Sequence, residues 1–185
     1  MVDYSIIIAG FGGQGILSAG KMAAEAALIE GHEVSWFPSY GPEMRGGTAN
    51  CSVVISDEKI GSPIINDADV LIALNQPSLE KFETMVKPGG IIIIDASLIK
   101  TGTQRKDIRF FPIASSDIAN ELGNMAYATI VLLGCLSAAS GCFLRSSFEE
   151  ALREVLPQRR HHMIPANLDA FDRGAAFVSQ TQKAT

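Results

Sequence analysis

The sequence predicts an α/β protein: a three-layer, Rossmann-like domain with a mostly parallel sheet and an antiparallel strand-pair insertion. Three observations carry that expectation. The runs Ile6–Ala9, Val70–Leu74 and Ile91–Ile94 are apolar at every position, as strands covered on both faces must be. Helical patterns alternate with these runs, which is the signature of a parallel sheet between helices. The first strand also passes directly into Gly10-Phe-Gly-Gly-Gln-Gly15, where Gly10, Gly12 and Gly15 stand at G-x-G-x-x-G spacing before an apolar-periodic helix.

The elements follow in order. After the glycine turn, a helix is expected from Gly15 to about Glu30, with Ile16, Ala19, Ala23, Ala26 and Ala27 on or near one face and Gly31 as its C-terminal cap. A strand over Glu33–Phe37 ends at Pro38, and the next segment has no periodicity. Cys51–Ile55 and Ile60–Ile65, split by Ser56-Asp57-Glu58-Lys59, read as a hairpin or strand pair. Val70–Leu74 is a buried strand, and the helix from Pro77 to about Val86 is stopped by Pro88-Gly89-Gly90. Ile91–Ile94 and Arg109–Ile113 are further strands. The last third is helical: Ser115–Leu122, then Tyr127–Ala139, apolar all round and therefore buried. Ser146–Leu156 begins with a near capping box, Ser146 or Ser147 before Glu149 and Glu150, and Leu168–Gln180 completes the set.

With 185 residues, the chain suits one domain over residues 1–185, and residues 181–185 read as a loose tail. A net charge of −5 and the lack of a basic stripe argue against nucleic acid as a partner. No segment has the length and apolarity of a membrane span, and the N-terminus lacks a basic leader, so a cytoplasmic location is expected. Cys51, Cys135 and Cys142 are scattered with no C-x-x-C, so the thiols build neither a zinc site nor an iron–sulfur cluster, and no metal site is expected.

Two segments are candidate sites. Gly10, Gly12, Gly13, Gln14 and Gly15 could receive a phosphate at a helix N-terminus or pack against a neighbouring backbone; both readings stand. A dinucleotide site would place an acidic residue at the end of the second strand, where Trp36-Phe37-Pro38 stands instead, which counts against NAD. Gly15 to Lys21 fits G-x-x-x-x-G-K, but Met22 replaces the hydroxyl residue, so it is not a P-loop. The second segment is Ser39, Tyr40, Gly41, Glu43, Arg45, Gly46 and Gly47, a long irregular stretch beyond a strand's carboxyl end, where ligands and partners gather. Arg45 could clamp a carboxylate or phosphate, and a plain surface loop with a Glu43–Arg45 pair is the alternative. Asn75 ends another strand as a contact or a helix cap, and Asp95 and Ser97 carry the same ambiguity. Arg159, Arg160, His161 and His162 read as a solvated run. No nucleophile–base arrangement is present, so no catalytic residue is assigned.

Gly10-Phe-Gly-Gly-Gln-Gly-Ile16 and Ser39-Tyr-Gly-Pro-Glu-Met-Arg-Gly-Gly47 resemble the gamma subunit of 2-oxoacid:ferredoxin oxidoreductases, as do Ile118–Asn124 and Asn167–Gly174. The chain departs from that pattern at Ala126 and Thr129, where an arginine and an asparagine would stand. The resemblance implies a module of an enzyme that oxidatively decarboxylates a 2-oxoacid on thiamine diphosphate. Electrons would pass through iron–sulfur clusters to ferredoxin, and the acyl group to coenzyme A. It also implies alpha and beta subunits bearing the thiamine cofactor, a ferredoxin-like delta subunit, and no cofactor bound by this chain alone. The gamma role would be assembly, with a share in the coenzyme A site, in an enzyme of the 2-oxoglutarate or branched-chain type. A stand-alone nucleotide-binding oxidoreductase and a non-enzymatic binding module are the alternatives.

Overall fold

The computed structural model describes residues 1–39 and 48–183. The strands are β1 (Asp3–Phe11), β2 (Glu33–Ser39), β3 (Thr48–Ser56), β4 (Ala68–Ala73), β5 (Val86–Asp95) and β6 (Arg109–Ile113). The helices are α1 (Ile16–Ile29), α2 (Gln76–Phe82), α3 (Ser115–Glu121), α4 (Tyr127–Ser140), α5 (Arg145–Val155) and α6 (Ile164–Lys183). All six strands form one mixed sheet in the order β2-β3-β1-β4-β5-β6. β1, β4, β5 and β6 are parallel neighbours, and β1, β4 and β5 carry the apolar runs that suit strands covered on both faces, whereas β3 is antiparallel to both β1 and β2.

The antiparallel insertion thus takes a different form from the expected hairpin. Residues 60–65 form no strand, and β3 instead wedges between β1 and β2. The reason lies in alternation: Cys51, Val53 and Ile55 are fully buried on one face of β3, a pattern that suits a central strand bonded on both sides. Residues 60–65 contain Gly61 and Pro63, which weaken and interrupt a strand. The Pro77 helix also ends earlier than expected, at Phe82, and Pro88-Gly89-Gly90 lie inside β5. A side chain at Gly90 would meet the Asp69 carbonyl at 2.9 Å, so this position must be glycine to pair with β4. The final helix begins at Ile164, ahead of the expected Leu168.

Two apolar layers hold the sheet. On one face, Ile6, Ile8, Val53, Val70 and Ile93 pack under α1, α4, α5 and α6; on the other, Ile7, Leu71 and Ile92 meet Leu79 and Phe82 of α2. Helix α4 is buried along most of its length and crosses α6 with backbones in contact. A Cβ at Gly134 would fall onto the Phe171 carbonyl, and one at Gly174 onto that of Val131. Phe143, Phe148 and Phe171 seal the adjoining corner, the last two with ring centroids 4.5 Å apart. No helix among the described residues is long and apolar enough to cross a membrane.

Candidate functional site

The glycine turn sits where the chain leaves β1 and enters α1, at the carboxyl ends of the parallel strands. Gly13 and Gly15 have φ of 94° and 79°, a region that only glycine enters cheaply. Gln14 lies between them and folds back over Gly10. Its Oε1 accepts the Phe11 N–H at 2.6 Å, and its Nε2 donates to the Leu74 carbonyl at 3.4 Å. The side chain therefore bridges the ends of β1 and β4. Gly10 makes this possible, since a Cβ there would stand 2.6 Å from Oε1 and 2.8 Å from Ile16 Cδ1. Gly12 is exposed in the same turn.

Two helices begin beside this turn. Neither α1 nor α4 has an acidic residue in its first turn. At α4 the Ala126, Tyr127 and Ala128 amides already bond Asn124 and Met125, whereas the first-turn amides of α1 have no partner among the described residues. The two helices approach closely: a Cβ at Gly15 would lie 3.5 Å from Thr129 Oγ1. Between them, and reaching to the end of α5, is a crevice of about 490 Å³ whose lining includes Gln14, Leu98, Met125, Thr129, Arg160 and Asn167. Arg160 is the one charged side chain in that lining among the described residues. Its guanidinium has no hydrogen-bond or ion-pair partner among the described residues, whereas Arg105, Arg145, Arg153 and Arg173 are all paired. A crevice with the uncapped start of α1, one unpaired arginine and, among the described residues, no carboxylate in its lining has the electrostatics of an anion site.

The expected site residues are thus partly brought together. Gly13, Gln14 and Gly15 line the crevice, and Gly10 lies beneath it. Asn75 does not line it: its Oδ1 caps α2 by accepting the Ser78 N–H at 2.8 Å, and its buried Nδ2 has no partner among the described residues. Ser39 is exposed at the end of β2, across β3 from the glycine turn. Tyr40, Gly41, Glu43, Arg45, Gly46 and Gly47 lie outside the described residues. Arg159, Arg160 and His162 are exposed, as a solvated run should be, and Arg160 also stands in the crevice lining. The 3₁₀ turn Gln158–Met163 carries it there, and His161 packs inward with Nε2 2.9 Å from the Leu156 carbonyl.

Other polar groups have structural duties. Asp95 is fully buried and accepts from Ser97 N, Ser116 N and Ser116 Oγ, so β5 supplies the cap at the start of α3. Burial pushes the thiols of Cys51, Cys135 and Cys142 up to about 12, which keeps them protonated. No three His, Cys, Asp or Glu side chains converge among the described residues.

Comparison with known proteins follows this geometry. Residues 5–177 match the family described as pyruvate ferredoxin/flavodoxin oxidoreductase. Among curated relatives, the ketoisovalerate oxidoreductase subunit VorA of Methanothermobacter marburgensis is 41% identical over 95% of this chain. The chain spans 37% of that relative's length. The 2-oxoglutarate synthase subunit KorC of Methanocaldococcus jannaschii is 36% identical, covering 91% of this chain and 90% of its own. Of solved structures, a keto/oxoacid ferredoxin oxidoreductase gamma subunit from Geobacter sulfurreducens superposes with a TM-score of 0.81, at 30% identity over 94% of this chain and 97% of its own. The 2-oxoglutarate:ferredoxin oxidoreductase of Magnetococcus marinus, solved with 2-oxoglutarate, coenzyme A and succinyl-CoA, gives 0.87 at 28% identity, covering 97% of this chain and 32% of that one.

Proposed function

The chain belongs to the pyruvate ferredoxin/flavodoxin oxidoreductase family, and from that premise we propose that it is the gamma module of a 2-oxoacid:ferredoxin oxidoreductase, inactive alone. Its substrate class is a branched-chain 2-oxoacid or 2-oxoglutarate, in keeping with the names of its relatives. The observation that carries the reading is that nearly the whole chain superposes on one third of a chain of such an oxidoreductase. Iron–sulfur clusters do not fit here, because the three thiols are dispersed, buried and protonated. Thiamine diphosphate and the clusters therefore belong to alpha, beta and delta partners, where they supply the decarboxylation and the electron path to ferredoxin.

This chain's own part is to assemble with those partners and to hold the acyl acceptor. In this reading the phosphates of coenzyme A meet the N-terminal amides of α1. Arg160 gives a charge-assisted, two-point contact to a phosphate oxygen pair. Leu98 and Met125, both exposed at the crevice mouth, offer apolar surface to the acceptor's uncharged arm.

Reconstitution tests this. The purified chain alone should reduce no electron acceptor, and the complex formed with its partner chains should oxidise a 2-oxoacid only when coenzyme A is supplied. Arg160→Ala in that complex should raise the apparent KM for coenzyme A roughly tenfold, since a hydrogen bond to a charged group contributes about 1.5–3 kcal/mol. The KM for the 2-oxoacid should stay unchanged. Substrate oxidation by the isolated chain would overturn the proposal.

A further inference from the structure

The crevice has two chemically different ends. At the α1 end stand the free first-turn amides and Arg160, groups that donate hydrogen bonds and accept none. At the β5 end the lining includes Leu98 and Ser116, and both are moored to Asp95. The Leu98 N–H donates to the Asp95 carbonyl at 3.1 Å, and Ser116 is held by the Asp95 side chain. Leu98 projects, with 48% exposure, whereas Ser116 is recessed at 8%.

The way Asp95 holds Ser116 decides what that hydroxyl can do. Asp95 is fully buried and has no cationic partner among the described residues. Its Oδ1 accepts two amides, Ser97 N–H at 3.1 Å and Ser116 N–H at 3.3 Å, which accounts for the cap on α3. Its Oδ2 is left to the Ser116 hydroxyl, which donates to it at 2.5 Å. A serine hydroxyl has one proton and two lone pairs. With the proton committed to a buried carboxylate, Ser116 has nothing left to donate and its oxygen can only accept. The low-dielectric surroundings of the pair strengthen it in that role. An anion is refused at this end, because a lone pair faces it with a carboxylate behind. A group that brings an N–H is welcome.

We infer that Ser116 reads an amide N–H on the uncharged arm of the acyl acceptor, and that Asp95 is the positioning residue that fixes its polarity. The arm of coenzyme A is aliphatic and interrupted by secondary amides. Leu98 beside a recessed acceptor answers that alternation: apolar surface for the methylenes and one lone pair for an N–H. The inference rests on the coenzyme A reading of the crevice and gives it a direction. The phosphates lie at the α1 amides and Arg160, and the arm runs towards the end of β5.

Calorimetric titration of the complex formed with the partner chains tests it. The ligands are coenzyme A and an isosteric analogue whose arm carries ester oxygens in place of the amide nitrogens. The wild-type complex should bind coenzyme A about fivefold or more tightly than the ester analogue, the effect of one buried hydrogen bond. Ser116→Cys keeps a donor for Asp95 but offers only a weak acceptor, so it should bind the two alike, and Ser116→Thr should restore the preference. Asp95→Asn should also lose it, because a side-chain amide there donates to Ser116 and frees the hydroxyl proton. The phosphoadenosine diphosphate portion of coenzyme A, which lacks the arm, should bind all four proteins equally. Loss of that portion together with the preference assigns Ser116 to the fold and overturns the inference. Equal wild-type affinity for amide and ester overturns it too, as does a preference that survives Ser116→Cys, and both leave the coenzyme A reading intact. A wild-type complex that binds neither coenzyme A nor its armless portion removes that reading, and the inference with it.

Discussion

Gln14 does with a side chain what a bound phosphate does in many glycine turns: it satisfies an amide at the turn and ties the ends of two parallel strands. The sequence showed that Gly10, Gly12 and Gly15 mark a strand-to-helix turn. It did not show that Gly10 is glycine to admit Gln14, because that contact folds a side chain backwards against its own strand. Free cysteine favours the core, and all three thiols are buried. Their burial has a measurable sign. A thiol whose folded pKa is raised from 9.0 to about 12 contributes stability that is complete below about pH 9 and is lost as pH climbs towards 12. Denaturant titrations should thus give a falling unfolding free energy from about pH 9 upwards, and a thiol reagent at pH 8 should label the native protein negligibly and the unfolded protein at all three positions. Rapid labelling of the native chain would show that one of these thiols is not where the core places it.

At the scale of elements, apolar runs and their lengths located almost every strand and helix, because burial on both faces leaves no room for polar residues. Starts and stops were harder to read. Ser146 and Ser147 suggest a cap, yet α5 begins at Arg145 with no side-chain cap, and α3 is capped by Asp95 from a strand twenty residues earlier. Local spacing cannot reveal a cap that arrives through tertiary structure. The contact of α4 with α6 depends on two glycines whose absent side chains leave space for a carbonyl of the opposite helix. Gly134→Ala should therefore cost more than a usual overpacking change of 1–3 kcal/mol, since the obstacle is backbone and cannot change rotamer. Thermal melting checks this, with Gly141→Ala for comparison, where an added Cβ meets nothing and only the positive φ of 71° opposes it. Equal melting temperatures for the two variants would show that the helices separate without penalty.

For the whole molecule, composition and topology agree on a module with a well-formed core. The family was legible in two glycine-bearing segments and in the later stretches that follow them in order. The crevice was legible only in half. Its glycine wall announces itself as a motif, whereas Arg160 reaches it from a turn more than 140 positions away and sits in a run of four basic residues that resembles ordinary surface.

The wedge of β3 between β1 and β2 also dictates an order of events. β2 exchanges no hydrogen bonds with β1 and is joined to the sheet through β3 alone. During synthesis it must therefore wait, unpaired, until residue 56 has left the ribosome and the returning strand can zip onto both neighbours at once. The same dependence persists in the finished protein. Amide deuteration should sweep through Val34–Phe37 well before it reaches Val53, with the margin of the sheet breathing while its centre stays shut.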